Sequence, residues 1–316
     1  LNRTFGVEEL TDKLFYQNVV KNNNHLKEIF KNISGNNDGD GHKNIDFIKY
    51  LDDNYQLIFI EEKDSDAFTG LELLTSETQD ISFDDDTLYI YDNELKEIID
   101  NDWFPEDLIS LTHIDYGNSK ALTALGIKKY QFGDFFDEVI AKNIDAINDL
   151  ITSKEDSISF HNFIIERLAS LTPNQQDVMK DAKVYLYGQD EPANNSGNHK
   201  TLSANAKELF NLGLVEFADL DIIDPDYKTE EHTEYWETRL ENTKFTINHF
   251  FGWLKENPDT FSDTLQDENL NISFWRWLKD KKSVKLNEEY INLPILLKDG
   301  TVDSDGPVYF SDEYLN

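Results

Sequence analysis

The chain has 316 residues, 63 Asp and Glu against 29 Lys and Arg for a formal net charge of −34, no cysteine, and 39 % apolar residues. A field of that sign repels phosphate, so direct binding to nucleic acid or to an anionic membrane is disfavoured. The missing cysteines remove disulfides, thiolate metal sites and cysteine nucleophiles together, while 21 Phe, 14 Tyr and 5 Trp predict cores built on aromatic rings.

In chain order, the turn Phe5-Gly6-Val7 leads into an amphipathic helix with Leu10, Phe15, Tyr16, Val19 and Val20 on one stripe. The loop Asn36-Asn37-Asp38-Gly39-Asp40-Gly41 follows. Asn36, Asp38 and Asp40 fit the opening half of a calcium loop, but Lys43 stands where an apolar residue belongs and Phe47 where a bidentate Glu is required. A solvated loop is the preferred reading, and no metal or cofactor is assigned.

Next comes Asn44-Ile45-Asp46-Phe47-Ile48, the start of a short buried helix with Asp46 read as its N-cap. Residues 56–60 read as a strand, and so does the alternating segment 87–92. Leu125-Gly126-Ile127 repeats the glycine turn, with Gly126 suited to a left-handed helix cap. It is followed by a second aromatic helix bearing Tyr130, Phe135, Phe136, Val139 and Ile140. Residues 157–164 repeat the buried-helix motif with Ser159 at the cap position, 183–188 a strand, and 189–203, rich in Asn, Gly and Pro, an exposed loop. His161 and His249 flank aromatics and read as satisfied core or boundary residues, and His232 as part of an acidic helix start. Residues 233–241 read as a helix whose cap role falls to Asn242. The aromatic helix returns at Phe245, Phe250, Phe251 and Leu254, and the capped motif at Ile272, Ser273, Phe274, Trp275 and Trp277. Strands at 293–297 and 307–312 flank the turn dipeptide Asp299-Gly300.

Ile45, Ile158 and Ile272 are spaced by 113 and 114 residues, and the aromatic helices by 120 and 115. The fold class expected is therefore α+β: three tandem helix-helix-β-hairpin units, winged-helix-like in element order, at residues 1–111, 112–220 and 221–316, in an elongated array. A recognition helix carrying Asp46, Asp52 and Asp53 would not read DNA. Trp253, Trp275 and Trp277 are expected in cores, with an exposed protein-binding patch as the sharper alternative.

The closing strings at 293–300 and 308–315, with the Leu-Gly-Ile turn and Phe-Phe pair between Leu122 and Phe136, resemble the repetitive regions of large sacsin-like bacterial proteins. In that family such regions lie downstream of a histidine-kinase/gyrase-type ATPase domain. The resemblance implies a non-catalytic portion of a chaperone-like or defence-related protein; the ATPase domain itself is not in this chain, because Asp38-Gly39-Asp40-Gly41 has the wrong spacing for its nucleotide turn.

No Gly-x-Ser-x-Gly elbow, phosphate loop or paired zinc-hydrolase histidines occur, and 63 acidic residues make any chosen carboxylate pair uninformative. The reading is an acidic scaffold or protein-interaction segment, without cofactor, whose partners are proteins or other domains of the same polypeptide. The alternative is a metal-dependent or hydrolytic enzyme with a carboxylate site between units. With no leader and no apolar run near the roughly 20 residues of a membrane span, a cytoplasmic piece cut from a longer protein is expected.

Overall fold

The structure is a computed structural model and describes residues 12–17, 21, 42–63, 68, 72–74, 80–82, 87–195, 199–213, 220–280, 295–296 and 301–303. The architecture is mixed helix and strand, with strands paired two by two among the described residues. The chain packs as two compact units, Leu1–Asn143 and Ile144–Asn316. The expected divisions after residues 111 and 220 fall inside these units. The first lies next to β-paired backbone, and Tyr116, Ala121, Leu122 and Ile127 beyond it share a core with Tyr16, Ile45 and Leu51.

In the first unit, α1 (Asp12–Phe15) leads to a fully buried Tyr16. α2 (His42–Asp53) buries Ile45, Ile48 and Leu51, spaced three apart on one face. The expected strand at 56–60 is instead a π-helical turn, Gln56–Glu61, with Ile58 its buried residue. The Ile58 N–H donates to the Asn54 carbonyl at 3.0 Å and the Glu62 N–H to Leu57 at 3.0 Å, so the backbone is satisfied locally. An unbroken apolar run carries no period that separates strand from helix.

A hairpin follows, β1 (Glu72–Leu74) antiparallel to β2 (Asp80–Ser82). β3 (Leu88–Tyr89) then feeds α3 (Asn93–Ile99), whose N-cap Asp92 accepts the N–H groups of Glu94 and Leu95. β4 (Ser110–Leu111) returns parallel to β3, and Tyr89 also bridges Lys128. After a 3-10 turn at Ile114–Tyr116, α4 (Lys120–Ala124) is capped by Ser119 and by the Asp52 carboxylate, which accepts the Ala121 N–H at 2.7 Å. Asp52 thus fastens a helix end. Gly126 follows α4 at φ +94°, a left-handed conformation that glycine adopts without a Cβ clash. α5 (Phe132–Phe135) continues into a π-helical turn, Phe136–Ile140. Phe135 and Phe136 are both fully buried, a contribution of about 1.5–3 kcal/mol each.

The second unit opens with α6 (Ile144–Leu150) and α7 (Lys154–Glu166). α7 starts with a capping box between Ser153 and Asp156, six residues before the expected cap at Ser159. Likewise Asp46 lies inside α2, and Ser273 lies inside α12 below, whose first turn is held by Asp267 accepting the Asn269 and Leu270 N–H groups. All three expected caps are interior residues, and for Ser159 and Ser273 a side-chain cap upstream takes the role. α8 (Pro173–Asp177), with its own Thr172–Gln175 capping box, occupies the stretch before the hairpin of β5 (Lys183–Val184) and β6 (Ala193–Asn194).

β7 (Lys200–Leu202) leads into α9 (Ala204–Asn211), capped by Ser203. A 3-10 turn at Pro225–Tyr227 and a π-helical turn at Glu234–Arg239 precede β8 (Thr243–Phe245), which pairs parallel with β7. α10 (Ile247–Glu256), α11 (Pro258–Thr264) and α12 (Glu268–Asp280) follow, then the hairpin of β9 (Ile295–Leu296) and β10 (Val302–Asp303). The stretch 189–203 is an exposed loop only in part: Gln189, Asp190 and Glu191 are exposed, whereas among its described residues it also holds β6 and β7 and buries Asn195, His199, Thr201 and Leu202. The left-handed position before β8 is Glu241 at φ +60°, not Asn242, which is buried.

Specific backbone bonds recur at a fixed separation of 111 residues. Thr112 N–H to Tyr89 and Ile223 N–H to Lys200 are both 2.9 Å, and Tyr116 to His113 and Tyr227 to Asp224 are both 3.1 Å. Asp92 and Ser203 each cap the helix after the parallel strand, and Gly117 and Lys228 each take positive φ. At that separation β3 lines up with β7, rather than with residues 183–188. Leu73, Val184 and Ile295, each in the first strand of a hairpin, are 111 residues apart. The glycine turn at Gly6, the loop at Asn36 to Gly41 and the strand at 307–312 lie outside the described residues.

Candidate functional site

The most concentrated buried chemistry lies in the second unit, around the root of the β5–β6 hairpin. α7 places Ser157 and His161 four residues apart, hence on one helix face, and both are 0 % exposed. The 3-10 turn at Pro225–Tyr227 sets Tyr227 against them, and the turn at Glu234–Arg239 adds Tyr235 and Trp236. Ser157 Oγ donates to the Lys183 carbonyl at 2.8 Å and accepts from the Tyr227 hydroxyl at 2.7 Å. That hydroxyl in turn accepts the Tyr185 N–H at 3.0 Å.

His161 completes the arrangement. Its Nε2 lies 3.1 Å from the Lys183 carbonyl, which can only accept, so Nε2 carries the proton. Nδ1 is then the acceptor for the Tyr235 hydroxyl at 2.7 Å. The ring is enclosed by Trp236 at 4.9 Å, Tyr227 at 5.7 Å and Phe160 at 5.9 Å between centroids. Burial in this apolar cage pushes the imidazole down to about 4, with the Lys183 carbonyl acting the other way. Burial also raises the Tyr235 and Tyr227 hydroxyls above their ordinary range. All three side chains are neutral at physiological pH.

From the other side, Asn148 accepts the Lys183 N–H at 2.9 Å and donates to the Asp181 carbonyl at 2.8 Å, while Lys183 Nζ reaches the Asn148 carbonyl at 2.6 Å. At the rim, Lys154 pairs with Asp224 and Asp226, and its ammonium is held above its usual range first by the Asp226 contact. Two helices thus hold one hairpin root through its backbone.

This geometry is poorly suited to turnover. The Ser157 proton goes to a backbone carbonyl and both His161 nitrogens have other partners, so Ser157 has no base to activate it. The chemistry it supports is positional: a net contribution of about 0.5–1.5 kcal/mol per bond, and about 1–3 kcal/mol lost for each group left orphaned.

Comparison with family models, with curated proteins and with solved structures gives no match to the chain.

The weak calcium candidates Asn36, Asp38 and Asp40 lie outside the described residues, among which no cluster of three or more His, Asp or Glu is placed to hold a metal. Trp277 is only 7 % exposed, with Nε1 donating to Glu208 at 3.0 Å, and Trp253 and Trp275 pack half-buried against the same core. The rings of Trp253 and Trp277 stack on Phe250 and Phe274, and the partly buried Trp253 and Trp275 each keep part of their surface accessible. His249 caps α10 by accepting the Thr246 N–H at 3.0 Å. Among the described residues no helix is long and apolar enough to cross a membrane. Sequence reasoning missed Ser157, Tyr227 and Tyr235; the available signal was a Ser and a His four apart on an otherwise apolar face.

Proposed function

We propose that this chain is a non-catalytic, acidic scaffold or protein-interaction segment of a larger ATPase-linked, chaperone-like or defence-related bacterial protein of the sacsin-like kind. It is composed of three tandem helix-helix-hairpin units, winged-helix-like in element order, to which a parallel strand pair is added. The observation that carries this reading is the set of matched backbone bonds and hairpins 111 residues apart. Such conservation of register across diverged side chains is what a copied module leaves behind, since the backbone geometry is the part that cannot drift.

The interior supports the same reading. Its most polar buried cluster is spent on fixing a hairpin, and the formal charge of −34 keeps the molecule soluble while favouring partners with basic faces. Those partners are other proteins or other domains of the same polypeptide. Affinity capture with the full-length parent, compared with a parent lacking residues 1–316 of this chain, tests the proposal. Loss of specific partners on deletion is expected; identical partners from both would overturn it.

A further inference from the structure

The matched positions of the two units differ in one systematic way. In the first, Ile48, Leu88, Ala121 and Ile127 belong to one apolar core. Taking the same offsets as the backbone bonds and helix motifs, their counterparts in the second unit are His161, His199, Trp236 and Asn242, all buried. An apolar seat in one copy is a polar seat in the other. Burying polar groups costs free energy unless each finds a partner.

His161 is fully partnered, but the other three are not. Asn242 donates Nδ2 to Asn195 Oδ1 at 3.2 Å, and His199 Nε2 faces the Asn194 carbonyl at 2.8 Å. Asn195 Nδ2, Trp236 Nε1, His199 Nδ1 and Asn242 Oδ1 have no hydrogen-bond partner among the described residues. Asn195 and Trp236 are 0 % exposed, Asn242 3 % and His199 8 %. Backbone bonds keep them local: Asn242 N–H to the Trp236 carbonyl at 3.1 Å, and Thr243 N–H to the His199 carbonyl at 3.1 Å.

The donor and acceptor roles select the ligand. Because the Asn194 carbonyl can only accept, His199 Nε2 donates and Nδ1 is an acceptor. Two donors, Asn195 Nδ2 and Trp236 Nε1, stand with two acceptors, His199 Nδ1 and Asn242 Oδ1. A carboxylate or phosphate satisfies only the donors and an ammonium only the acceptors. Water satisfies both, and a buried water typically makes about three bonds to otherwise unsatisfied groups, so four atoms call for one or two. We propose that the second unit holds one or two long-lived internal waters, bound by Asn195, His199, Trp236 and Asn242.

The contrast between copies rests on the repeat reading; the water site itself rests on the four atoms. Oxygen-17 water relaxation dispersion of the full chain tests it, comparing wild type with His199→Leu/Asn242→Ile, which installs the first unit's residues. The expected result is a long-residence component in wild type that falls by one to two waters in the variant. An equal component in both would overturn the proposal. Should the variant not fold, water density within hydrogen-bond distance of these atoms in a high-resolution wild-type crystal supports the site, and density showing the four atoms paired with protein overturns it. Neither measurement depends on whether the units superpose, so failure of the repeat reading would be seen separately.

Discussion

His161 makes the protein acid-sensitive in a defined window. The imidazole is fully buried, with its titration pushed down to about 4 against an ordinary value of 6.5. Between those values the unfolded chain binds a proton that the folded chain refuses, so stability rises with pH across the window and falls on acidification. Full stability is present above about pH 6.5, and the loss is complete below about pH 4. Moving from about pH 7 to about pH 5 should therefore remove about 2 kcal/mol through this residue alone. The high acidic content pushes the opposite way, because protonating carboxylates relieves self-repulsion in a chain of net charge −34. The comparison must therefore be with His161→Gln, which keeps one donor and one acceptor without titrating. Urea unfolding of both proteins, followed by tryptophan fluorescence with Trp236 at 4.9 Å from the ring, isolates the difference. If wild type and variant show the same pH dependence, the imidazole is not held neutral by burial and the description of the cluster at the β5–β6 hairpin root is wrong.

Other outcomes follow from single positions. Glu241→Gly should stabilise by about 0.5–1 kcal/mol, since Glu241 holds φ +60° and its pair with Lys180 is exposed; Gly126→Ala should cost about 1 kcal/mol, both read by thermal or urea unfolding. Ser157→Ala removes the acceptor of the buried Tyr227 hydroxyl and one of the two side-chain donors at the Lys183 carbonyl, and should cost about 1–3 kcal/mol in the same assay. Ser153→Ala, which breaks the capping box of α7, should cost about 1 kcal/mol. Adding about 0.5 M sodium chloride should raise the unfolding temperature by screening the net negative charge, as calorimetry would show.

Much of the helical frame was legible in the sequence because aromatic spacing reports burial directly. The stripes around Phe135 and Phe250, and the helix after Gly126, are read from side chains three to five residues apart. Strands were harder. Residues 56–60 looked extended only because four apolar residues stand in a row, and the backbone closed its bonds locally. β7 was hidden inside an Asn- and Gly-rich stretch, since its partner β8 lies some forty residues on and nothing local signals a parallel pair. The cluster at the β5–β6 hairpin root was illegible for a similar reason: Ser157, Lys183, Tyr227 and Tyr235 are distant in sequence, and only the fold brings the Ser157 hydroxyl and an imidazole onto one carbonyl, with a tyrosine hydroxyl bonded to each. Glu241 in a left-handed turn could not be foreseen from residue preference, which favours its neighbour Asn242.

The direct test of the tandem module is an experimental crystal structure of the whole chain, with residues 72–117 laid on residues 183–228. The account predicts the same ladder register in both, Tyr89 beside Leu111 and Lys200 beside Ile222, and a third hairpin of the same shape at Ile295. Hairpins at Leu73, Val184 and Ile295 set in dissimilar surroundings, with no common register between the two stretches, would contradict it.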